Sequence, residues 1–191
     1  MACSRAILIT FVLLSWLAIP SWSWGSRKRG SYVKDACSVT RYQDLCIDSL
    51  SSYSNKAKTD PSKWARAGVS VTIGETKNTT RYLIGLKNKN RMKGRNRVAV
   101  FDCVEVFQDA LDSLHKALGV LRQLSAETFV NEMEDITTWI SSALTDEDTC
   151  LDGFEGQNGE EFKLLETKVT KVSYYTSNAL ALVTKLASTG P

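Results

Sequence analysis

The chain has 191 residues, 43% of them hydrophobic and 24% charged, and a formal net charge of +3. So mild a positive balance does not argue for a nucleic-acid partner, and three prolines and eleven glycines do not describe a disordered chain. A single histidine, His115, is all that the whole sequence offers to histidine-dependent catalysis or to an imidazole-bound metal.

In chain order, the first segment reads as an address. Arg5 precedes an apolar run over residues 7–17, and Pro20, Ser21 and Ser23 follow. The run is shorter than the roughly 20 residues a spanning helix needs. It fits a cleaved secretory signal over residues 1–24. No later apolar run is long enough to span, so the expectation is a soluble protein outside the cell. What remains, roughly 167 residues, suffices for one domain with a sizeable core.

Residues 25–31, GSRKRGS, read as a flexible basic spacer. A single domain is then expected over 32–187, with a short hairpin at 32–58 and a bundle at 60–187. Cys37 and Cys46 lie in the hairpin with eight residues between them. Asp60-Pro61 is a helix start, because Asp can cap and Pro suits the first turn. Val69, Ile73, Thr76, Thr80 and Leu83 step by three and four along the helix that follows. Its many β-branched residues favour a strand, but length and spacing favour helix.

KNKNRMKGRNR, residues 87–97, has six basic residues and a glycine. It reads as a solvated loop, with contact to an acidic polysaccharide as a second use. The next helix carries the stripe Cys103, Phe107, Ala110, Leu111, Leu114, Ala117, Leu118 and Leu121. Ser125 is placed to cap the third helix, whose stripe is Met133, Ile136, Ile140, Ala143 and Leu144. EGQNGE is a loop. Phe162, Leu165, Val169, Val172, Thr176, Ala179, Val183 and Leu186 then form the most regular seam in the chain. Four amphipathic helices with short links predict an all-α, up-down-up-down four-helix bundle behind a helical hairpin.

Cys3 belongs to the leader, which leaves Cys37, Cys46, Cys103 and Cys150. An even number in an oxidising compartment predicts two disulfides. Cys103 opens the second bundle helix and Cys150 closes the third. Antiparallel packing puts them roughly level at 1.5 Å per residue, which leaves Cys37 for Cys46.

Chemistry is hard to find. His115 has Leu111, Asp112, Leu118 and Gly119 around it on a helix face and no nucleophile elbow anywhere in the chain. No P-loop or dinucleotide fingerprint occurs, so no cofactor is expected. The stretch SALTDEDTCLDGF crowds Asp146, Glu147, Asp148 and Asp152 around Cys150. Read as a calcium loop from Asp146, it fails at positions five, six and twelve. As a glycosidase pair it lacks a cleft. Carboxylates at a helix C-terminus also oppose the helix dipole, which points to a use other than stability.

Three stretches, DACSVTRYQDLCIDSL, CVEVFQDALDSL and WISSALTDEDTCLDGFEG, together with the order of the four cysteines, resemble the plant invertase and pectin methylesterase inhibitors. The resemblance spans essentially the whole mature chain, and the third stretch is most like the pectin methylesterase branch. It implies an inhibitor rather than an enzyme, secreted to the apoplast and cell wall. It also implies a one-to-one complex in which the second and third bundle helices cover the pectin-binding cleft of the esterase through largely polar contacts. The same disulfide pairing is implied. The partner-binding residues it points to are Thr149 and Asp152 beside the fourth cysteine, with Glu105, Asp109 and Asp112 on the preceding helix. Val104, Val106 and Trp139 look apolar enough to enlarge that surface.

Acid invertase is the alternative target within the family. The Pro-Lys-Phe tripeptide common in invertase inhibitors is absent here. No esterase domain follows, so a free-standing inhibitor is expected. A wall polysaccharide-binding protein using residues 87–97 is the reading from another class. Asn78-Thr79-Thr80 is an N-glycosylation sequon.

Overall fold

The computed structural model describes residues 24–88, 93–157 and 159–190. The expected leader over 1–24, Trp24 apart, lies outside the described residues, and so do residues 89–92 of the basic loop. Among the described residues, seven α-helices follow in order. They are α1 (Trp24–Cys37), α2 (Gln43–Leu50), α3 (Ser54–Ala57), α4 (Pro61–Asn88), α5 (Arg95–Leu121), α6 (Phe129–Asp152) and α7 (Glu160–Thr189). A single 3-10 turn, Ser51–Tyr53, links α2 to α3.

The four long helices form the bundle. Packing runs α4 on α5, α5 on α6, α6 on α7 and α7 back on α4. The α5/α6 face is therefore opposite the α4/α7 face. At the start of α4 the Asp60 carboxylate accepts the Lys63 backbone N–H at 3.1 Å, an N-cap directly before Pro61. Ser125 does not cap α6 itself. Its hydroxyl accepts the Glu127 N–H at 3.3 Å, its own N–H donates to Glu132 at 3.1 Å, and α6 begins four residues later. A turn over 126–128 takes up the difference.

Helical backbone also runs through residues 25–31, where composition suggested a spacer. Arg27, Lys28 and Arg29 are good helix formers, and no proline interrupts them. The basic loop is shorter than its composition implied, because α4 continues to Asn88 and α5 starts at Arg95. Lys87 Nζ lies 4.1 Å and Arg97 Cζ 5.7 Å from the Phe101 ring, so the two ends of the loop converge on one aromatic face.

The bundle core has two apolar clusters. One holds Ala65, Val69 and Ile73 of α4 with Leu114, Ile136 and Val183. The other holds Leu83 and Leu86 with Phe107, Leu165, Val169 and Val172. Thr76, Glu147 and Thr176 lie between the clusters along their helices, and each is fully buried. Val104 is buried in the second cluster rather than facing solvent, and Val106 and Trp139 pack partly buried against the core. These three serve packing before any interface.

The N-terminal hairpin covers the α4/α7 edge. Cys37 and Cys46 are bonded, and Val33, Leu50 and Ala57 pack on Trp64, Ala67 and Leu182. Helices α4 and α7 approach closely at Gly68, where a Cβ would come within 2.9 Å of Leu182 Cδ1 and make that side chain shift. The hairpin turn is clamped by the buried Asn178. The Tyr42 N–H donates to Asn178 Oδ1 at 3.1 Å, and Asn178 Nδ2 donates to the Tyr42 carbonyl at 2.9 Å. Asn178→Ala leaves the part-buried Tyr42 N–H without this partner, while the Tyr42 carbonyl keeps only the Cys46 N–H at 3.0 Å. It should lower unfolding stability by about 1–3 kcal/mol in a denaturant titration.

Candidate protein-binding surface

The second disulfide sets the register of α5 against α6. Cys103 and Cys150 are bonded with Cα atoms 4.6 Å apart. Both half-cystines are buried, and the residues that flank them on the far side of each helix point outward. Glu105 stands two positions after Cys103, Thr149 immediately before Cys150 and Asp152 two positions after it. All three are exposed. Asp109 and Asp112 extend the row along α5, both exposed. Asp112 is the outlying member, about 14 Å along the helix from the cystine at 1.5 Å per residue.

The surface is acidic. Helix α6 carries seven acidic residues and no cation, and all of them except Glu147 lie outside the core. The Asp146 carboxyl is pushed above the usual aspartate range, first by burial and then by Asp109 of α5. Asp109 and Asp146 thus face each other across the seam between the helices, and Asp146 Oδ2 is buried with no hydrogen-bond partner. Asp146 belongs with the five residues expected from sequence, and its like-charged neighbour is what marks it. The Thr149 hydroxyl donates to the Thr145 carbonyl at 2.8 Å. That bond fixes the hydroxyl and leaves its lone pairs for an incoming donor.

Glu147 does not share this surface. It is fully buried on the other side of α6, where the Thr176 hydroxyl donates to Oε1 at 2.6 Å and Oε2 has no partner. Burial pushes its carboxyl up to about 8. The hydroxyls of Thr176 and Ser173 pull downward without offsetting that, and Asp148 and Asp146 add to the rise. The helical pattern held the signal, because Ile140, Ala143, Glu147 and Cys150 continue one inward stripe. Leu144, expected on that stripe, is only partly buried. The stretch that looked like four surface acids is three facing outward and one facing the core.

Among the described residues, no group of three or more His, Cys, Asp or Glu side chains is placed to hold a metal ion. His115 is exposed. No described helix is long and apolar enough to cross a membrane.

Comparison with known proteins shows what the chain is similar to. Residues 31–182 match the family model described as plant invertase/pectin methylesterase inhibitor. Pectinesterase inhibitor 6 of Arabidopsis thaliana is 47% identical over 84% of this chain and 77% of its own length. Pectinesterase inhibitor 3 of the same plant is 37% identical over 82% of this chain and 80% of its own length. The crystal structure of a mutant form of a pectin methylesterase inhibitor from Arabidopsis shares the fold, with a TM-score of 0.63 at 18% identity, covering 78% of this chain and 92% of that one.

The buried acid predicts a pH dependence. A carboxyl raised to about 8 in the fold, against 4.5 unfolded, favours folding fully at low pH. Stability should fall as pH rises between those values, by up to a few kcal/mol, because the native state must then give up a proton into an apolar site. Glu147→Gln should flatten that slope in melting curves taken across this range.

Proposed function

The chain belongs to the plant invertase/pectin methylesterase inhibitor family, and from that premise we propose that it is a secreted inhibitor of pectin methylesterase, acting in the apoplast and cell wall. It is an inhibitor-family protein and not an enzyme. In this reading one inhibitor meets one esterase, and the α5/α6 face covers the pectin-binding cleft. Demethylation of wall pectin is thereby restrained.

The observation that carries the reading is the acidic surface held across two helices by the Cys103–Cys150 bond. Thr149 and Asp152 flank the buried half-cystine on α6, and Glu105 and Asp109 stand opposite on α5. A cleft that accepts an anionic polymer presents cations and hydrogen-bond donors, and a rigid row of carboxylates is complementary to it. An interface of ordinary size, about 1,600 Å² in total, fits on two helices of this length. The invertase reading rests on the same fold, and α6 contains no proline with which to build the Pro-Lys-Phe feature of that branch.

The test is a titration of the oxidised protein against plant pectin methylesterase and acid invertase. The esterase alone should be inhibited, with one equivalent at the end point. Thr149→Ala and Asp152→Ala should each weaken inhibition about tenfold, or ~1.4 kcal/mol. Raising ionic strength should weaken it further, since the contacts are charged. Inhibition of invertase alone, or variants that inhibit like the parent, would overturn the target or the surface. Asn78 is exposed on α4, away from this surface, and we propose that it carries an N-linked glycan. Glycosidase treatment of plant-made protein should reduce its mass, and inhibition should be unchanged.

A further inference from the structure

The bundle separates its charge. Against the seven carboxylates of α6, helix α4 carries five cations and one carboxylate. Helix α7 has four lysines and three glutamates, and two of those glutamates, Glu160 and Glu161, occupy its first turn, where the helix dipole favours them. The α4/α7 face is thus the basic side of the molecule, opposite the acidic one.

An open groove of about 790 Å³ lies on this side, between the start of α2 and the outer surface of α7. Tyr42 and Tyr174 stack in its wall, with ring centroids 3.8 Å apart and planes within 19°. The Asn178 clamp holds the backbone of Tyr42, so the pair is a fixed platform. Arg41 and Lys171 line the groove beside it, and the Arg41 guanidinium is 5.7 Å from the Tyr42 ring. One turn of α7 away, Lys168 reaches over Tyr82 of α4 at 5.1 Å. Thr167 and Thr170 add hydroxyls, and Asp44 and Glu166 add carboxylates.

The geometry points to a second binding site in this groove, for a carboxylate-bearing polysaccharide of the polyuronate kind. Sugar rings offer an apolar C–H face to an aromatic platform. Arg41 and Lys171 supply the cations that uronate carboxylates require. Asp44 and Glu166 repel a bare polyanion but accept hydrogen bonds from sugar hydroxyls. That mixture suits a chain with both hydroxyls and spaced carboxylates. Removing methyl esters from pectin generates such a chain, so the biological sense of the site rests on the inhibitor reading above. The inhibitor would then hold the enzyme with one face and the enzyme's product with the other.

Calorimetric titration of the full oxidised chain, carrying Asn78→Gln so that no glycan shades the face, tests this. The probes are a de-esterified oligogalacturonate, the same oligomer fully methyl-esterified, and polyglutamate. Saturable binding of the first, about tenfold or more tighter than either of the others, is expected. Arg41→Gln with Lys171→Gln should weaken it about tenfold, or ~1.4 kcal/mol. Lys93→Gln with Arg95→Gln, the same charge change in the basic loop, should leave it within about twofold.

No saturable binding, equal binding of polyglutamate or of the methyl ester, or a loss confined to the loop pair would each overturn the site. Esterase inhibition measured on the same proteins separates the two ideas. If no variant or parent inhibits, yet oligogalacturonate still binds in the groove, the inhibitor reading fails and the groove stands. If inhibition is intact and binding absent, the groove fails alone.

Discussion

The bond between Cys103 and Cys150 is the constraint on which the candidate surface depends. It joins the first third of α5 to the last turn of α6. Two antiparallel helices can slide past each other by a turn at little cost if only apolar ridges hold them. A covalent tie near their shared end removes that freedom. Every exposed residue within two positions of either cysteine then has a fixed neighbour on the other helix. Glu105, Thr149 and Asp152 are the residues in that position, and the pairing of Asp109 with Asp146 follows one turn further along. The repulsion between those two carboxylates is the cost of the arrangement. A fold selected for stability alone would place a cation there.

The middle of the bundle shows a second compromise. Thr76, Glu147 and Thr176 interrupt an otherwise apolar core between its two clusters. Thr76 donates to the Thr72 carbonyl at 2.8 Å, so its hydroxyl is satisfied within its own helix. Glu147 has no such local option. It stays in the core because it is held as the neutral acid against Thr176, and neutral carboxyls are far cheaper to bury than carboxylates. The fold therefore suits an acidic medium better than an alkaline one. The buried polar layer also specifies register, since a slip of one turn would set Glu147 against Val172 or Ala179 of α7.

Much of this was legible in the residues. The seam of α7 from Leu165 to Leu186 is periodic enough to name its buried positions, and the cysteine pairing follows from antiparallel helices of the right length. Asp60-Pro61 is a local signal, and local signals survive folding well. The parts that escaped are those set by tertiary neighbours. Glu147 looks like one more acid in an acidic run until the inward stripe of α6 is carried through it. Val104 looks exposed until α5 is rotated to bury Cys103, which turns Val104 inward beside it. The Asn178 clamp on Tyr42 joins residues 136 positions apart, and nothing local announces it. Asp146 is of the same kind, since its burial comes from α5.

Charge separation between opposite faces ties these features together. A net charge of +3 conceals a helix with seven carboxylates and another with five cations. Averaged over the chain the balance excludes little, but arranged by the bundle it gives two surfaces of opposite sign. Alternating helices in an up-down bundle would mix their charges if each carried both signs. Here the acids concentrate on α6 and the bases on α4, which occupy opposite corners, so the faces stay distinct. The field of the acidic face attracts cationic groups toward α5 and α6 and away from α4. The hairpin sits on the α4/α7 edge, where it leaves the acidic face uncovered. The position of the hairpin, the register imposed by Cys103–Cys150 and the sorting of charge among helices thus all favour the same face for a protein partner.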